Sequence, residues 1–385
     1  MVSKTDRKRS DAAIEAFHKY YSSPSHWGSD RWHGSLFEAL AATVKHARMN
    51  NHYVFGTNSP AGLSVIGLPT IKARNGFDKS GDGIQSQLTT VAGFEDGIEI
   101  SLNATGGDGF TQPQLIPSIQ DQNVKLYSHY NLDAASLLPV ILLDPQPGNK
   151  VLDMCAAPGG KSIAIGQKLF LSGNSALHSN ESHPARHTRL ARNLASYFPP
   201  ALLGSGSVQA LELDASSADF STKAPVPTSL GIRGYDKVLL DAPCSSERHI
   251  IQSFLSSQRS GGVSNDMMGF RTGVAGKKAI VKLQTELLMN ALRVCRTGGK
   301  VVYSTCSIDR QENEGVVKAV VLKANKGKEG FRAQLVDMED EIDGLGEWSE
   351  KCEVGRICLP DHGDKGKGHG WGPIYFCVLF KTVEP

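Results

Sequence analysis

The chain has few of the features that mark secreted, membrane or metal-binding proteins. Its seven cysteines are odd in number and include no Cys-x-x-Cys pair, so neither a disulfide framework nor a zinc ribbon is expected. The longest apolar run, residues 134–143, contains Ser136 and Pro139 and is far shorter than the roughly 20 residues that cross a bilayer. The sequence therefore predicts neither a membrane span nor a metal site.

The chain also lacks a surplus of either charge. It has 41 Lys and Arg against 39 Asp and Glu, a net charge of +2, which disfavours a histone-like or tail-driven nucleic-acid binder. Any contact with a nucleic acid must come from a local patch. Residues 1–10 are basic but contain no apolar segment, so no secretory signal is predicted, whereas an organellar presequence stays open.

The first third of the chain is predicted to be an N-terminal extension, residues 1–125. Apolar residues recur at helical spacing in the segment AAIEAFHKYY, residues 12–21, and in residues 30–48, which predicts two helices at its start. Residues 51–115 are rich in Gly, Ser, Asn and Asp, and no function is predicted for them.

The remainder, residues 126–385, has the alternation of an α/β fold. Short β-branched runs predict strands at residues 150–154, 176–181, 208–213, 236–241, 299–305 and 374–381. Amphipathic stretches predict helices at residues 161–171, 184–197, 278–295 and 311–324. Because these helices lie between strands, we expect parallel pairing in an open, doubly wound, Rossmann-like sheet with ligands at the carboxyl ends of its strands.

A glycine-rich turn follows the first predicted strand. It reads CAAPGGKS from Cys155 to Ser162 and opens a predicted helix, whose free amides can approach a ligand closely. A Walker A loop would need glycine at position 155, and the dinucleotide fingerprint G-x-G-x-x-G is missing. A P-loop ATPase and a nicotinamide or flavin enzyme are therefore disfavoured.

Acidic residues end the next two strands. Glu181 lies 21 positions after Gly160, the separation at which a carboxylate binds a ribose, and Asp214 ends the third strand, where it could meet an adenine. Each acid alone could be a loop or helix-cap residue. Together they favour a cofactor that contains adenosine.

Two cysteines follow the fourth and fifth strands, in the runs DAPCSSERH and YSTCS. A lone cysteine is more often a small core residue than a nucleophile. Cys244 and Cys306, however, both lie in hydrophilic turns at the same end of the sheet as the glycine loop, where thiols would meet a substrate.

The motifs CAAPGGK, DAPCS followed by ERH, and YSTCS followed by QENE resemble the Sun-domain family of RNA (cytosine-5) methyltransferases, which use S-adenosylmethionine. The resemblance runs from about Tyr127 to the C-terminus. YNLDAASLL at residues 130–138, the ERH run and GPIYFC at residues 372–377 look most like the mitochondrial branch, which acts on small-subunit ribosomal RNA or on a tRNA. The resemblance therefore implies a mitochondrial enzyme that forms 5-methylcytosine, with a cytoplasmic location as the alternative.

The resemblance also implies roles for particular residues. Cys306 would attack the cytosine, Cys244 would assist product release, Asp241 would bond ring nitrogen 3, and Lys161 would hold Asp241 and orient the base. The opposite assignment of the thiols stays open, because DNA cytosine-5 methyltransferases use the cysteine of a Pro-Cys pair such as the one at position 244. The implied cofactor residues are Cys155, Ala156, Ala157, Pro158, Gly159, Gly160, Lys161, Glu181, Arg186, Asp214, Ala215 and Asp241.

RNA is the expected partner, with ribosomal RNA preferred over tRNA. Basic residues beside the two cysteines are expected to face it, namely Arg248, Arg259, Arg271, Lys277 and Lys278. A helical-repeat protein or a ribosomal subunit could supplement the weak overall charge. An RNA-binding ribosome-assembly factor whose methylation is dispensable is the alternative from another class. The spacing of Cys352, Cys358, His362 and His369 matches no compact zinc site.

Overall fold

A computed structural model describes residues 3–56, 63–65, 70–71, 100–103, 110–170, 174–229, 231–270, 274–338, 342–363 and 370–383. Its main element is a nine-stranded sheet. We number its strands β1 to β9 in chain order: Lys150–Asp153, Ala176–Asn180, Val208–Leu211, Tyr235–Asp241, Cys295–Thr305, Phe331–Leu335, Glu350–Lys351, Arg356–Cys358 and Ile374–Val383.

The strand order is β3-β2-β1-β4-β5-β9-β8-β7, and β6 also pairs with β9. The first five strands in this order are parallel, which confirms the predicted α/β, doubly wound architecture. The parallel pairing expected for the last strand is wrong, because β9 runs antiparallel to β5, β6 and β8. The crossover after β5 leads instead into β6, a strand that the sequence analysis missed, and the chain then returns as β9 between β5 and β6.

Six helices of nine residues or more are described, and we number them α1 to α6: Lys4–Tyr21, Gly160–Leu169, Pro184–Tyr197, Glu247–Arg259, Val274–Val294 and Val316–Ala324. The four predicted crossover helices are confirmed as α2, α3, α5 and α6. The last of them is preceded by a π-helical turn, Gln311–Gly315, rather than beginning at residue 311. Shorter helical segments are Ser29–Arg31, Trp32–Leu36, Phe37–Ala41, His52–Phe55, Ala134–Leu137, Leu138–Leu143, Pro200–Gly204, Phe220–Lys223, Asn265–Gly269 and Leu345–Trp348.

The N-terminal extension begins with helices, as predicted, but the second one is shorter than expected. The helical structure that corresponds to the second predicted helix ends at Ala41, and Ala47–Asn50 is a strand that pairs antiparallel with His129–Leu132. That strand also pairs with Ile100–Asn103, which pairs in turn with Leu63–Val65. The remaining two-stranded pairs are Thr70–Ile71 with Ile342–Asp343, Leu115–Pro117 with Lys125–Tyr127, and Thr228–Ser229 with Ile232–Arg233. The domain boundary after residue 125 stays a prediction.

Apolar layers cover both faces of the sheet because successive side chains of a strand point to opposite faces. Along β4, Leu239 faces a layer that includes Leu169 of α2, whereas Val238 faces a layer that includes Phe17 of α1 and Leu288 of α5. Burial on both faces leaves the strand ends as the accessible part of the sheet. Among the described residues, no helix has the length and apolar character needed to cross a membrane.

Candidate active site

The glycine turn after β1 borders a cavity of about 210 Å³ at the carboxyl edge of the sheet. Gly159 has a left-handed φ of 116°, and a Cβ on Gly160 would lie 2.8 Å from Cε1 of Tyr130. Both glycines are therefore needed, one for the turn and one for the close approach to the tyrosine ring. Of the predicted cofactor residues, those that line the cavity are Cys155, Ala156, Ala157, Pro158, Gly160, Lys161 and Asp241.

Of four other predicted cofactor residues, three lie just beyond neighbouring strand ends and Arg186 lies in the first turn of α3. The Glu181 carboxylate is buried, accepts a 3.0 Å hydrogen bond from the His183 amide and lies 3.4 Å from the Arg186 guanidinium. Arg186 also donates to the carbonyl of Ala157 in the glycine turn. Asp214 is exposed and accepts hydrogen bonds from Ser216, while Ala215 is buried. Together with Gly159, these four are outside the set of residues that line the cavity.

The structure adds cavity residues that the sequence analysis did not select. They are Tyr130, Asn131, Leu132, Ser136 and Asp153. Asp153 is the most informative of them: it is fully buried, Oδ2 accepts a 2.6 Å hydrogen bond from Ser162, and Oδ1 has no protein partner. Burial raises the pKa of Asp153 to about 7. Its position at the end of β1 is the signal that could have identified it.

Lys161 and Asp241 form an ion pair at the cavity wall. Lys161 Nζ lies 2.7 Å from Asp241 Oδ2, and Asp241 Oδ1 accepts a 2.8 Å hydrogen bond from Ser304. Burial alone would lower the pKa of Lys161, but the charge of Asp241 outweighs it and the pKa is raised. The lysine is therefore charged, and the carboxylate is held from both sides.

The two cysteines at the strand ends are in contact. Cys244 Sγ and Cys306 Sγ are 3.1 Å apart, and Cys306 is exposed. The side chain of Cys244 hydrogen-bonds to Cys306 and lowers the pKa of that thiol, and the same contact raises the pKa of Cys244. Cys306 is therefore the thiol that ionises first, and its thiolate can accept the hydrogen of the Cys244 thiol. Cys155 also lies at the cavity, but burial raises the pKa of its thiol.

A buried polar network supports the turn that carries Cys244. Glu247, at the start of α4, accepts a 2.6 Å hydrogen bond from the Tyr21 hydroxyl of α1. Glu312 Oε2 accepts from the Ser245 amide at 3.0 Å and from Gln284 of α5 at 2.9 Å. The network therefore connects the turn to the N-terminal helix and to two crossover connections. The sequence analysis missed these residues.

The Ser245 hydroxyl contacts both carboxyl groups of this network. It lies against Glu247 Oε1 and is 2.5 Å from Glu312 Oε1, yet a hydroxyl has one hydrogen to donate. The hydroxyl therefore cannot donate to both carboxylates at once, and a proton on either carboxyl would relieve the contact. Burial and the charge of Glu247 raise the pKa of Glu312 to about 7, so Glu312 binds a proton near neutral pH and, when protonated, can donate to Ser245.

The basic residues expected to face RNA are not all exposed, even among those that the structure describes. The expectation for Arg248 is wrong, because its buried guanidinium donates to the carbonyl of Gly372 and lies 3.9 Å from Asp133. Arg248 therefore joins α4 to the start of β9. Arg259 and Lys278 are exposed. Arg271 and the side chain of Lys277 lie outside the described residues.

The described part of the chain contains no group of three or more His, Cys, Asp or Glu side chains placed to hold a metal ion. Of the four residues weighed as zinc ligands, Cys358 is buried and His362 hydrogen-bonds to the carbonyl of Gly346. His369 lies outside the described residues.

Comparison with known proteins extends these observations. A family model described as "16S rRNA methyltransferase RsmB/F" matches residues 140–345. A zebrafish (Danio rerio) protein named mitochondrial tRNA (cytosine(34)-C(5))-methyltransferase is 37% identical, over 70% of this chain and 65% of its own. The mouse protein of the same name is 32% identical, over 71% and 69%. The 5-cytosine rRNA methyltransferase NSUN4 of Xenopus tropicalis is 34% identical, over 69% and 59%. The chain thus spans less than two thirds of the zebrafish and Xenopus relatives.

Solved structures share the fold. A methyltransferase homolog from Pyrococcus horikoshii superposes with a TM-score of 0.55 at 19% identity, over 99% of this chain and all of that one. NSun6 from the same organism, solved with SFG, gives a TM-score of 0.55 at 15% identity, over 95% and 98% of the two chains.

Proposed function

Because the chain belongs to the RsmB/F (Sun-domain) methyltransferase family, we propose that it transfers a methyl group from S-adenosylmethionine to carbon 5 of a cytosine in RNA. The observation that carries the proposal is the thiol pair Cys244–Cys306, with Sγ atoms 3.1 Å apart, at the same sheet edge as the Lys161–Asp241 ion pair. A reaction at carbon 5 of cytosine needs both a thiolate and a group that binds the ring.

The cavity beside the glycine turn suits the cofactor. The backbone of Gly160 can approach the Tyr130 ring closely only because glycine has no Cβ. In the same cavity, Asp153 Oδ1 is a buried polar atom without a protein partner. We assign the cofactor to the residues that line this cavity, with Glu181 on the ribose and Asp214 and Ala215 near the adenine. Arg186 supports Glu181, and Gly159 shapes the turn. When bound, the cofactor supplies the methyl group.

Cys306 is the nucleophile of this proposal. Carbon 5 of cytosine becomes reactive only when electrons enter the ring, so the Cys306 thiolate forms a bond to carbon 6. Carbon 5 then takes the methyl group, its proton leaves to solvent, and the electrons of that C–H bond restore the ring double bond as the C–S bond breaks. The sulfur leaves as a thiolate, and Cys244, whose thiol donates to that sulfur, stabilises it.

Asp241 and Lys161 bind and orient the base. Addition at carbon 6 moves negative charge toward ring nitrogen 3, and the charged Lys161 offsets it. Asp241 is held by Lys161 and Ser304, so its carboxylate has little freedom to turn away from the ring. Ring nitrogen 3 takes a proton from solvent as negative charge reaches it, and the Asp241 carboxylate then accepts a hydrogen bond from that N–H, which is the role that the sequence analysis gave to the pair.

The proposed substrate is mitochondrial small-subunit ribosomal RNA, and a tRNA is the second candidate. The relative with 37% identity is named as a tRNA enzyme, and those named as rRNA enzymes are at most 35% identical. The zebrafish and mouse relatives of the tRNA kind are named as mitochondrial proteins, which supports a mitochondrial location. Exposed Arg259 and Lys278 remain candidates for RNA contact, and a helical-repeat protein or the ribosomal subunit would supplement them.

Bisulfite sequencing of rRNA and tRNA from cells with and without the protein tests this proposal. Loss of one 5-methylcytosine in small-subunit rRNA supports the first candidate, and loss in a tRNA alone supports the second. If every 5-methylcytosine persists while ribosome assembly fails, the chain is an assembly factor and the proposed reaction is wrong. Re-expression of a Cys306→Ala variant is the control, because it should restore the protein without restoring the mark.

A further inference from the structure

Ser246 has an unusual backbone conformation beside the two thiols. Its φ of 55° and ψ of 61° lie in the left-handed region, which favours glycine over every residue with a Cβ. A residue held in such a conformation beside reactive groups points to a function for its side chain. Ser246 also precedes α4, where a serine commonly caps the helix, yet its side chain makes no capping hydrogen bond.

The Ser246 hydroxyl points to sulfur instead. Its Oγ lies 3.0 Å from Cys306 Sγ and 3.5 Å from Cys244 Sγ. A thiolate at Cys306 can accept two hydrogen bonds, one from the Cys244 thiol and one from this hydroxyl. Both hydrogen bonds favour the ionised form and contribute to the lowered pKa of Cys306, with the bond from Cys244 the larger.

We propose that Ser246 is a catalytic residue that donates a hydrogen bond to the attacking thiolate and receives that thiolate again when the C–S bond breaks. The proposal rests on the proposed function, which makes Cys306 the nucleophile. The left-handed backbone conformation of Ser246 explains why its hydroxyl reaches sulfur rather than the amides of α4. The titratable groups that act on Cys306 besides Cys244 are Asp241, Glu247 and Lys161.

Alkylation of Cys306 by iodoacetamide, followed peptide by peptide with mass spectrometry from pH 5 to 10, tests the hydrogen bond. Iodoacetamide reacts with the thiolate and releases iodide, so its rate follows the ionised fraction. Ser246→Gly removes the hydroxyl and relieves the backbone, and Ser246→Ala removes the hydroxyl alone. Both should raise the apparent pKa of Cys306 and slow alkylation at pH 7 about tenfold. Ser256→Ala, an exposed serine of α4, should leave the profile unchanged.

A wild-type profile for Ser246→Gly overturns the proposal, as does a shift seen in Ser246→Ala alone, which would show that backbone strain rather than the hydroxyl matters. The assay contains neither RNA nor cofactor, so it is independent of methylation. If the wild type methylates no RNA while alkylation still depends on Ser246, the proposed function is wrong and the hydrogen bond stands. If the wild type methylates RNA and the rate of Cys306 alkylation does not change in the Ser246 variants, only the role proposed for Ser246 is wrong.

Discussion

At the scale of single residues, the two thiols differ because each changes the proton affinity of the other. The hydrogen bond between them favours ionisation of Cys306 and disfavours that of Cys244. We therefore predict that Cys306→Ala forms no covalent complex with substrate RNA, whereas Cys244→Ala accumulates one, because the adduct forms but its thiolate leaves slowly. A denaturing gel of each variant, incubated with RNA and cofactor, measures this as a slowly migrating band.

The reverse pattern would contradict this assignment. A band with Cys306→Ala and none with Cys244→Ala would make Cys244 the nucleophile, as the Pro-Cys pair of DNA cytosine-5 methyltransferases suggests. Incubation of both variants with a substrate RNA that lacks the target cytosine is the control, since neither should then give a band.

Glu181 provides a second test at this scale. If its carboxylate accepts hydrogen bonds from the ribose of the cofactor, Glu181→Ala should weaken S-adenosylmethionine binding by about 1–3 kcal/mol, the cost of leaving buried hydroxyls without a partner. Calorimetry measures the affinity. Glu212→Ala, which removes an exposed carboxylate paired with His187, is the matched control and should bind normally. Equal affinity for Glu181→Ala and the wild type would mean that the ribose lies elsewhere.

Some site residues could be predicted from the sequence because strand topology places them, whereas others depend on long-range contacts or on backbone conformation. Cys244 and Cys306 follow strands and Asp241 ends one, so the topology of a parallel sheet is enough to bring them together. The hydrogen bond between Tyr21 and Glu247 joins residues 226 positions apart on different elements, and nothing local to either residue indicates it. Ser246 was missed because its conformation, rather than its identity, turns its hydroxyl toward sulfur.

At the scale of secondary structure, helix α2 carries the glycine turn and packs closely against the chain after α3. A Cβ on Gly166 would collide with the buried ring of Phe198. Gly166→Ala should therefore destabilise the protein by about 1–3 kcal/mol despite the higher helix propensity of alanine. Thermal unfolding should show a lower Tm. Gly204→Ala, where a Cβ would meet nothing within 4 Å, should not lower it; equal Tm values for the two variants would contradict this packing.

The parallel strands were predictable because strand and helix patterns alternate at regular intervals, and α3 was predicted with its observed bounds. Two elements were not predictable in this way. The strand Ala47–Asn50 continues an apolar pattern that also suits a helix, and only its pairing with His129–Leu132 makes it a strand. Similarly, β9 pairs antiparallel with β5 along one edge and with β6 and β8 along the other, a long-range arrangement that no local pattern contains.

At the scale of the whole molecule, the N-terminal helix is joined to the site rather than appended to it. The Tyr20 hydroxyl donates to Asp309 at 2.9 Å, and Tyr21 donates to Glu247. Phe17 of the same helix belongs to the apolar layer behind β4. Folding of α1 and the arrangement of the thiol turn are therefore coupled through buried polar groups, so their protonation contributes to the stability of the whole protein.

The pH dependence of unfolding tests the contribution that protonation of Glu312 makes to stability. Folding raises the pKa of Glu312 from an ordinary value of 4.5 to about 7, so the folded protein keeps a proton that the unfolded chain releases. The contribution of Glu312 to stability is complete below pH 4.5, falls by about 1.4 kcal/mol per pH unit above it, and is lost once the pH has passed 7. Glu312→Gln stays neutral in both states, and its amide can donate to Ser245 as the protonated acid does. Its stability relative to the wild type should therefore rise by about 3 kcal/mol between pH 4.5 and 7.5, as measured by urea unfolding.

Glu286→Gln, at a partly exposed position, is the control and should show no such rise. A constant difference between Glu312→Gln and the wild type would mean that Glu312 is ionised in the folded protein.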